Sequence, residues 1–180
     1  LLGEISDTKG DASTALEQFT LAAESTALLL DAEPLNTQRI FDHAQSVFWV
    51  GYVAFQQGKS AQAQEQLGEY LRLAKQLVAI DGGEPKWQEE VFSGYLNLGA
   101  IALEEGRLQQ AESHFLRAIE ELGVLQAMGL PEHDQSASIH SWLSAVYLEQ
   151  KKFVLALSHN WQEIEAWTQH LVENPEDHNA

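Results

Sequence analysis

The chain has 180 residues, 44% of them hydrophobic, and sets 10 Lys+Arg against 27 Asp+Glu for a formal net charge of −17. That length suits one domain burying roughly 70% of its unfolded surface. The charge argues against direct binding to nucleic acid or anionic lipid, both of which are held by Lys and Arg, and favours basic or cationic partners.

Apolar residues at 3- and 4-residue steps, interrupted by Gly and Pro, predict helices at about 12–30, 37–57, 60–80, 86–105, 108–127, 135–150 and 152–173, with ends defined to ~2–4 residues. In the fourth, Val91, Tyr95, Leu98 and Ala102 share one face. Gly106 suits the left-handed residue that ends a helix, and Leu108, Ala111, Phe115, Ala118, Ile119 and Leu122 resume the period. The small residues Gly99, Ala102 and Ala111 mark where two helices cross closely, with Phe115 filling the space beside them. This is a helical hairpin. Pro34, Pro85 and Pro131 each stand where a new helix is about to begin. No alternating strand pattern of useful length occurs, and residues 173–180 form a polar tail. No apolar run approaches the ~20 residues of a membrane span. The chain has no cysteine, which removes disulfides, thiolate metal sites and thiol nucleophiles.

One pattern occurs four times. It runs Leu2-Gly3, Gly10, Ala15, Phe19, Ala22; then Val50-Gly51, Gly58, Ala63, Leu67, Tyr70; then Leu98-Gly99, Gly106, Ala111, Phe115, Ala118. A weaker copy runs Leu143-Ser144, Lys151, Ala156, Asn160, Glu163. The copies are 48, 48 and 45 residues apart. A fixed period is the signature of a stacked repeat array. The first copy starts partway through its unit and no Met precedes it, so the chain is expected to be a piece of a longer protein.

These landmarks resemble the tetratricopeptide repeat family, whose units carry an apolar-small pair in the first helix, Gly at the turn, and Ala, a large apolar residue and Ala in the second. The resemblance covers essentially the whole chain. It implies an all-α, right-handed superhelical array of antiparallel helix hairpins, about seven helices in a single domain over 1–180, with units at about 1–34, 35–84, 85–130 and 131–173. The usual unit is ~34 residues; these are longer, as in kinesin light chains, bacterial peptide-sensing regulators and the C-terminal arrays of large ATP-dependent transcription activators. The last copy departs further, with Lys151, Asn160 and Glu163 in place of Gly, aromatic and Ala. That suits a capping repeat. The alternative is that Trp161, Ile164, Trp167 and Leu171 form a stripe that packs on something outside the chain.

In the resembling family the first helices line a concave groove. The landmark register places Gln45, Phe48, Tyr52, Phe55 and Gln56 there in the second unit, Ser93, Leu96, Ala100, Leu103 and Glu104 in the third, and Ser141, Ala145, Leu148 and Glu149 in the fourth. This is an apolar floor with carboxylates toward the turn end, suited to an amphipathic helix or extended peptide with basic flanks. Phe55 and Leu103 are divided evenly between core packing and groove lining; Trp49 and Trp87 read as packing residues. The Lys and Asn pattern of a carboxylate clamp is absent from these positions.

Signals for catalysis are weak. His159 and Glu163 stand four apart on one helix, and His133, Asp134 and His140 surround a turn, but no third convergent ligand is identifiable. The expected function is a scaffold that binds a partner's peptide or helix in the groove. The alternative is an effector-sensing regulatory domain of a larger bacterial transcription regulator or signalling protein. Neither reading requires enzymatic activity, a cofactor or a metal. Both place the chain in the cytoplasm, and self-association through the terminal helices is a further expectation.

Overall fold

The computed structural model describes residues 9–130, 133–174 and 176. Among the described residues there are seven α-helices and no strand: α1 (Lys9–Ala32), α2 (Thr37–Gln56), α3 (Ser60–Ile80), α4 (Pro85–Glu104), α5 (Leu108–Ala127), α6 (His133–Glu149) and α7 (Phe153–Glu173). Every predicted helix is present. The fold is an all-α array in which neighbours in sequence pack as antiparallel hairpins, α2 with α3 and α6 with α7. The chain resolves into two compact units, Leu1–Glu90 and Val91–Ala180, with the divide inside α4. One landmark falls differently from expectation. α1 already begins at Lys9, so Gly10 lies within its first turn instead of in the connection before it. Leu2 and Gly3 lie outside the described residues.

The helix ends follow local chemistry. The Asn36 side chain accepts hydrogen bonds from the backbone N–H groups of Gln38 and Arg39, capping α2. Pro85 occupies the first position of α4, where its missing N–H costs nothing. The turns that close the three hairpins repeat one geometry. Gly58 (φ 71°), Gly106 (φ 70°) and Lys151 (φ 58°) are left-handed. The residue after each donates its N–H to the carbonyl five positions back: Lys59 to Ala54 at 2.9 Å, Arg107 to Ala102 at 2.8 Å, Lys152 to Tyr147 at 2.8 Å. This is the helix-stop motif that glycine favours, and the fourth repeat forms it with a lysine at a cost of about 1 kcal/mol.

In the α2–α3 and α4–α5 hairpins the helices touch at the small landmark residue. A Cβ on Gly51 would lie 2.8 Å from Leu67 Cγ, and one on Gly99 would lie 2.6 Å from the Phe115 ring. Around these crossings the apolar stripes close into cores. In the first unit Ile40, Ala44, Val47, Val50, Val53 and Ala54 of α2 are buried, as are Ala63, Leu67, Leu73, Ala74 and Leu77 of α3. In the second unit Phe92 and Ala102 of α4, Phe115, Leu122 and Leu125 of α5, Ile139, Leu143, Val146 and Tyr147 of α6, and Ala156 of α7 form one cluster.

The last hairpin is held differently. Asn160 stands at the position of Phe115 and is exposed, so no large apolar side chain fills the space beside the buried Ser144. The contact shifts one residue earlier. His159 stacks on Tyr147 with ring centroids 5.3 Å apart, and its Nδ1 lies 2.9 Å from Nδ1 of His140. One imidazole donates and the other accepts, which requires that both not be charged. Burial, reinforced by the charge of His159, lowers the His140 pKa to about 4, and burial also lowers that of His159. In the first unit His43 Nδ1 lies 3.0 Å from Thr26 Oγ1, tying α2 to α1, and burial lowers its pKa too.

Two outcomes follow from this packing. Gly99→Ala drives a methyl into the Phe115 ring and is expected to destabilise the chain by about 1–3 kcal/mol in denaturant unfolding. Adding Phe115→Leu should recover part of that loss, and a purely additive double mutant would contradict the close crossing. The histidines give a pH dependence. Their folded pKa values lie below the ordinary ~6.5, so the unfolded chain takes up protons first as pH falls. Their contribution is complete above about pH 6.5 and declines as pH falls below it, that of His140 being lost toward about pH 4. Discounted for partial solvent screening, the loss from His140 is about 1 kcal/mol, or ~2–4 °C in melting temperature. A His140→Gln/His159→Gln variant should show a shallower decline across that window.

Candidate partner-binding surface

The aromatic run of α2 forms the most distinctive surface of the first unit. Phe48 stacks on Tyr52 at 6.1 Å, tilts against Tyr70 at 5.2 Å and meets Trp49 edge-on at 5.3 Å. Trp49 stacks on Phe19 of α1 at 5.6 Å and lies edge-on to Tyr52 at 5.8 Å. Five rings from three helices thus hold one another in offset and edge contacts, each pair contributing about 0.5–1.5 kcal/mol beyond its buried area. Phe48, Trp49 and Tyr52 each remain partly open to solvent, while Tyr70 is buried.

A carboxylate anchors the edge of this cluster. Tyr70 donates its hydroxyl proton to Glu90 Oε2 at 2.5 Å, and Gln45 Nε2 donates to the same oxygen at 2.8 Å. Glu90 thereby joins α2, α3 and the start of α4. Gln45, assigned to the groove from sequence, spends an amide proton on this internal bond. Phe55 is half-buried and Gln56 exposed at the C-terminal end of α2. Beside the cluster, Lys86 Nζ sits 3.6 Å from the centroid of the Phe41 ring, which in turn meets Trp87 at 5.5 Å. Trp87 is therefore a packing residue with a cation on its partner's face.

In the second unit the assigned residues divide between interior and surface. Leu96 and Leu103 are partly buried and pack against the core cluster. Ser93, Ala100 and Ala145 are half-buried and Ser141 exposed. Glu104, Leu148 and Glu149 are exposed at the C-terminal ends of α4 and α6. Near the same ends Glu112 accepts hydrogen bonds from Gln150 Nε2 at 2.8 Å and Lys152 Nζ at 3.3 Å. Burial pushes the Glu112 pKa up, but hydrogen bonds from Gln150, Lys152 and Tyr147 outweigh it and hold the carboxyl below its ordinary range. This network fastens the α6–α7 turn to α5.

Several of these groups were not singled out from sequence. Glu90 and Glu112 lack any local motif. The His140–His159 contact did carry a signal: the two residues stand 11 and 8 positions from the hairpin turn at Lys151, so antiparallel helices bring them within about one turn of each other. His159 pairs with His140, not with Glu163, and the side chains of His133 and Asp134 lie outside the described residues. Among the described residues no group of three or more His, Cys, Asp or Glu is arranged to hold a metal ion. No helix among them is long and apolar enough to cross a membrane.

No family model matches the chain, and no curated protein is similar to it in sequence. Its backbone is similar to that in the crystal structure of BtubC (BKLC) from P. vanneervenii, with a TM-score of 0.67 and 18% identity over 91% of this chain. The match takes in 59% of that protein's length, and at this identity the likeness is one of fold.

Proposed function

We propose that this chain is a tetratricopeptide-like interaction module that holds a basic, amphipathic helix or peptide of a partner protein. The observation that carries the reading is the interlocked aromatic face of α2. Phe48, Trp49 and Tyr52 are partly exposed yet fixed by ring contacts and by the Glu90 anchor behind them. Rigid aromatic surface gives large contact area at little entropic cost, and such residues dominate interface energetics. Gln45 acts as a positioning residue for that face, which lies wholly within the first unit.

Charge selects the partner. With a net charge of −17, a basic ligand is drawn in and an acidic one repelled. The repeat assignment is supported by three hairpin turns of one geometry and by two glycine crossings at the landmark positions. The cytoplasmic setting and the absence of catalysis belong to the same reading.

The test uses calorimetry with two designed amphipathic helical peptides that share an apolar face, one Lys-rich and one Glu-rich on the polar face. The Lys-rich peptide should bind and the Glu-rich one should not. Tyr52→Ala should weaken binding by roughly 10- to 100-fold while leaving the circular dichroism unchanged, because the ring lies partly open at the surface. Equal binding of both peptides, or affinity indifferent to Tyr52→Ala, would remove the assignment.

A further inference from the structure

α7 exposes an apolar stripe that the repeat pattern does not explain. Its inner face, with Ala156 and Ala166 buried and His159 half-buried, lies against the hairpin. On the opposite side Val154, Leu157, Trp161, Ile164 and Leu171 are all exposed, Val154 by 83% and Trp161 by 65%. With Thr168 these residues follow alternating 3- and 4-residue steps over the whole helix, the spacing of a two-helix seam. The landmark alanines Ala63, Ala111 and Ala156 allow a register comparison. The positions of Val154, Leu157, Trp161, Ile164, Thr168 and Leu171 are Ala61, Gln64, Gly68, Leu71, Lys75 and Val78 in α3, and Gln109, Glu112, Leu116, Ile119, Gly123 and Gln126 in α5. Elsewhere in the array this face is mostly polar or small; in α7 it is apolar.

We propose that α7 is the contact surface of a homodimer in which two copies pack their seventh helices antiparallel about a two-fold axis. The stripe is complementary to itself in that arrangement. An axis between Gln162 and Glu163 sets Trp161 opposite Ile164, Leu157 opposite Thr168 and Val154 opposite Leu171 of the second copy. Each large residue meets a smaller one twice over, as an isologous interface requires. The end charges agree. Lys151 precedes the helix beside Lys152, which is already paired with Glu112, and Glu173 and Glu176 close it, so antiparallel pairing brings Lys151 beside an acidic end at both margins. Parallel pairing would set like charges together. Lys151 and Lys152 are two of only 10 basic residues in the chain.

Sedimentation equilibrium of the 180-residue chain should show a reversible dimer. Trp161→Glu should raise its dissociation constant on the order of a hundredfold or more, since the side chain is lost from both copies. Helicity should be unchanged, because Trp161 contributes to the surface and not to the core. Cysteine cross-linking provides a second, independent reading in a chain that has no cysteine of its own. Under mild oxidation Leu157→Cys/Thr168→Cys should form a covalent dimer, whereas Leu157→Cys alone should not, because its two copies would lie ~16 Å apart along the helix axes. A chain that stays monomeric at the highest attainable concentration, a dimer indifferent to Trp161→Glu, or efficient linkage through Leu157→Cys alone would each overturn the proposal.

Discussion

The packing of this chain depends on how closely two helices approach inside a hairpin. Where a glycine stands at the crossing, the opposing helix inserts a large side chain directly against its backbone: Leu67 over Gly51 and Phe115 over Gly99. The inserted residue is fully buried or nearly so, as are the flanking apolar residues Ile40, Val47 and Val53 in the first unit and Leu122, Leu125 and Leu143 in the second. The left-handed turn after each first helix then has only one geometry that returns the chain to that contact. Crossing and turn are therefore a single constraint, which explains why Gly51 and Gly58, and likewise Gly99 and Gly106, keep the same separation.

The fourth repeat shows what happens when the constraint is relaxed. Ser144 replaces the glycine and Asn160 the inserted aromatic, and Asn160 turns to solvent. α7 lies on the hairpin through two buried alanines and the half-buried His159, Glu163, Trp167 and His170, with no large side chain fully buried. A neutral imidazole pair is a weaker and more condition-dependent fastening than a buried phenyl ring. The apolar residues that α7 does carry lie on its outer side, so the helix trades interior packing for exposed surface.

The elements were legible in the sequence because their signals are local. Apolar steps, Gly at the turns and Pro85 at a helix start fix all seven helices to within three residues. Phe115 could be assigned to the core from its place opposite Gly99. Leu103 could not be, since its spacing fits either the interior or an open groove, and only the packed neighbours decide that it sits against the core. Gly10 misled for a related reason: a glycine near a helix start suits both the turn and the first turn of the helix. Phe48, Tyr52 and Trp49 were recognisable as one helix run, but their union with Phe19 and Tyr70 needed three helices to be placed together.

The polar anchors were harder to foresee, and the repeat period explains where to look for them. In a stacked array, residues separated by nearly one period lie on neighbouring equivalent helices, offset by at most a turn or two. Gln45 and Glu90 are 45 apart. Lys152 and Glu112 are 40 apart, and Gln76, which donates to the Pro34 carbonyl, is 42 away from it. None of these pairs resembles a motif, because each partner is an ordinary polar residue in its own helix. These separations, from 40 to 45 residues, approach the 45–48-residue period, whereas Tyr70 and Glu90, 20 apart, do not follow it. For a long-helix array of this kind, polar pairs near the repeat length are thus candidate contacts between helices, alongside the apolar landmarks within each hairpin.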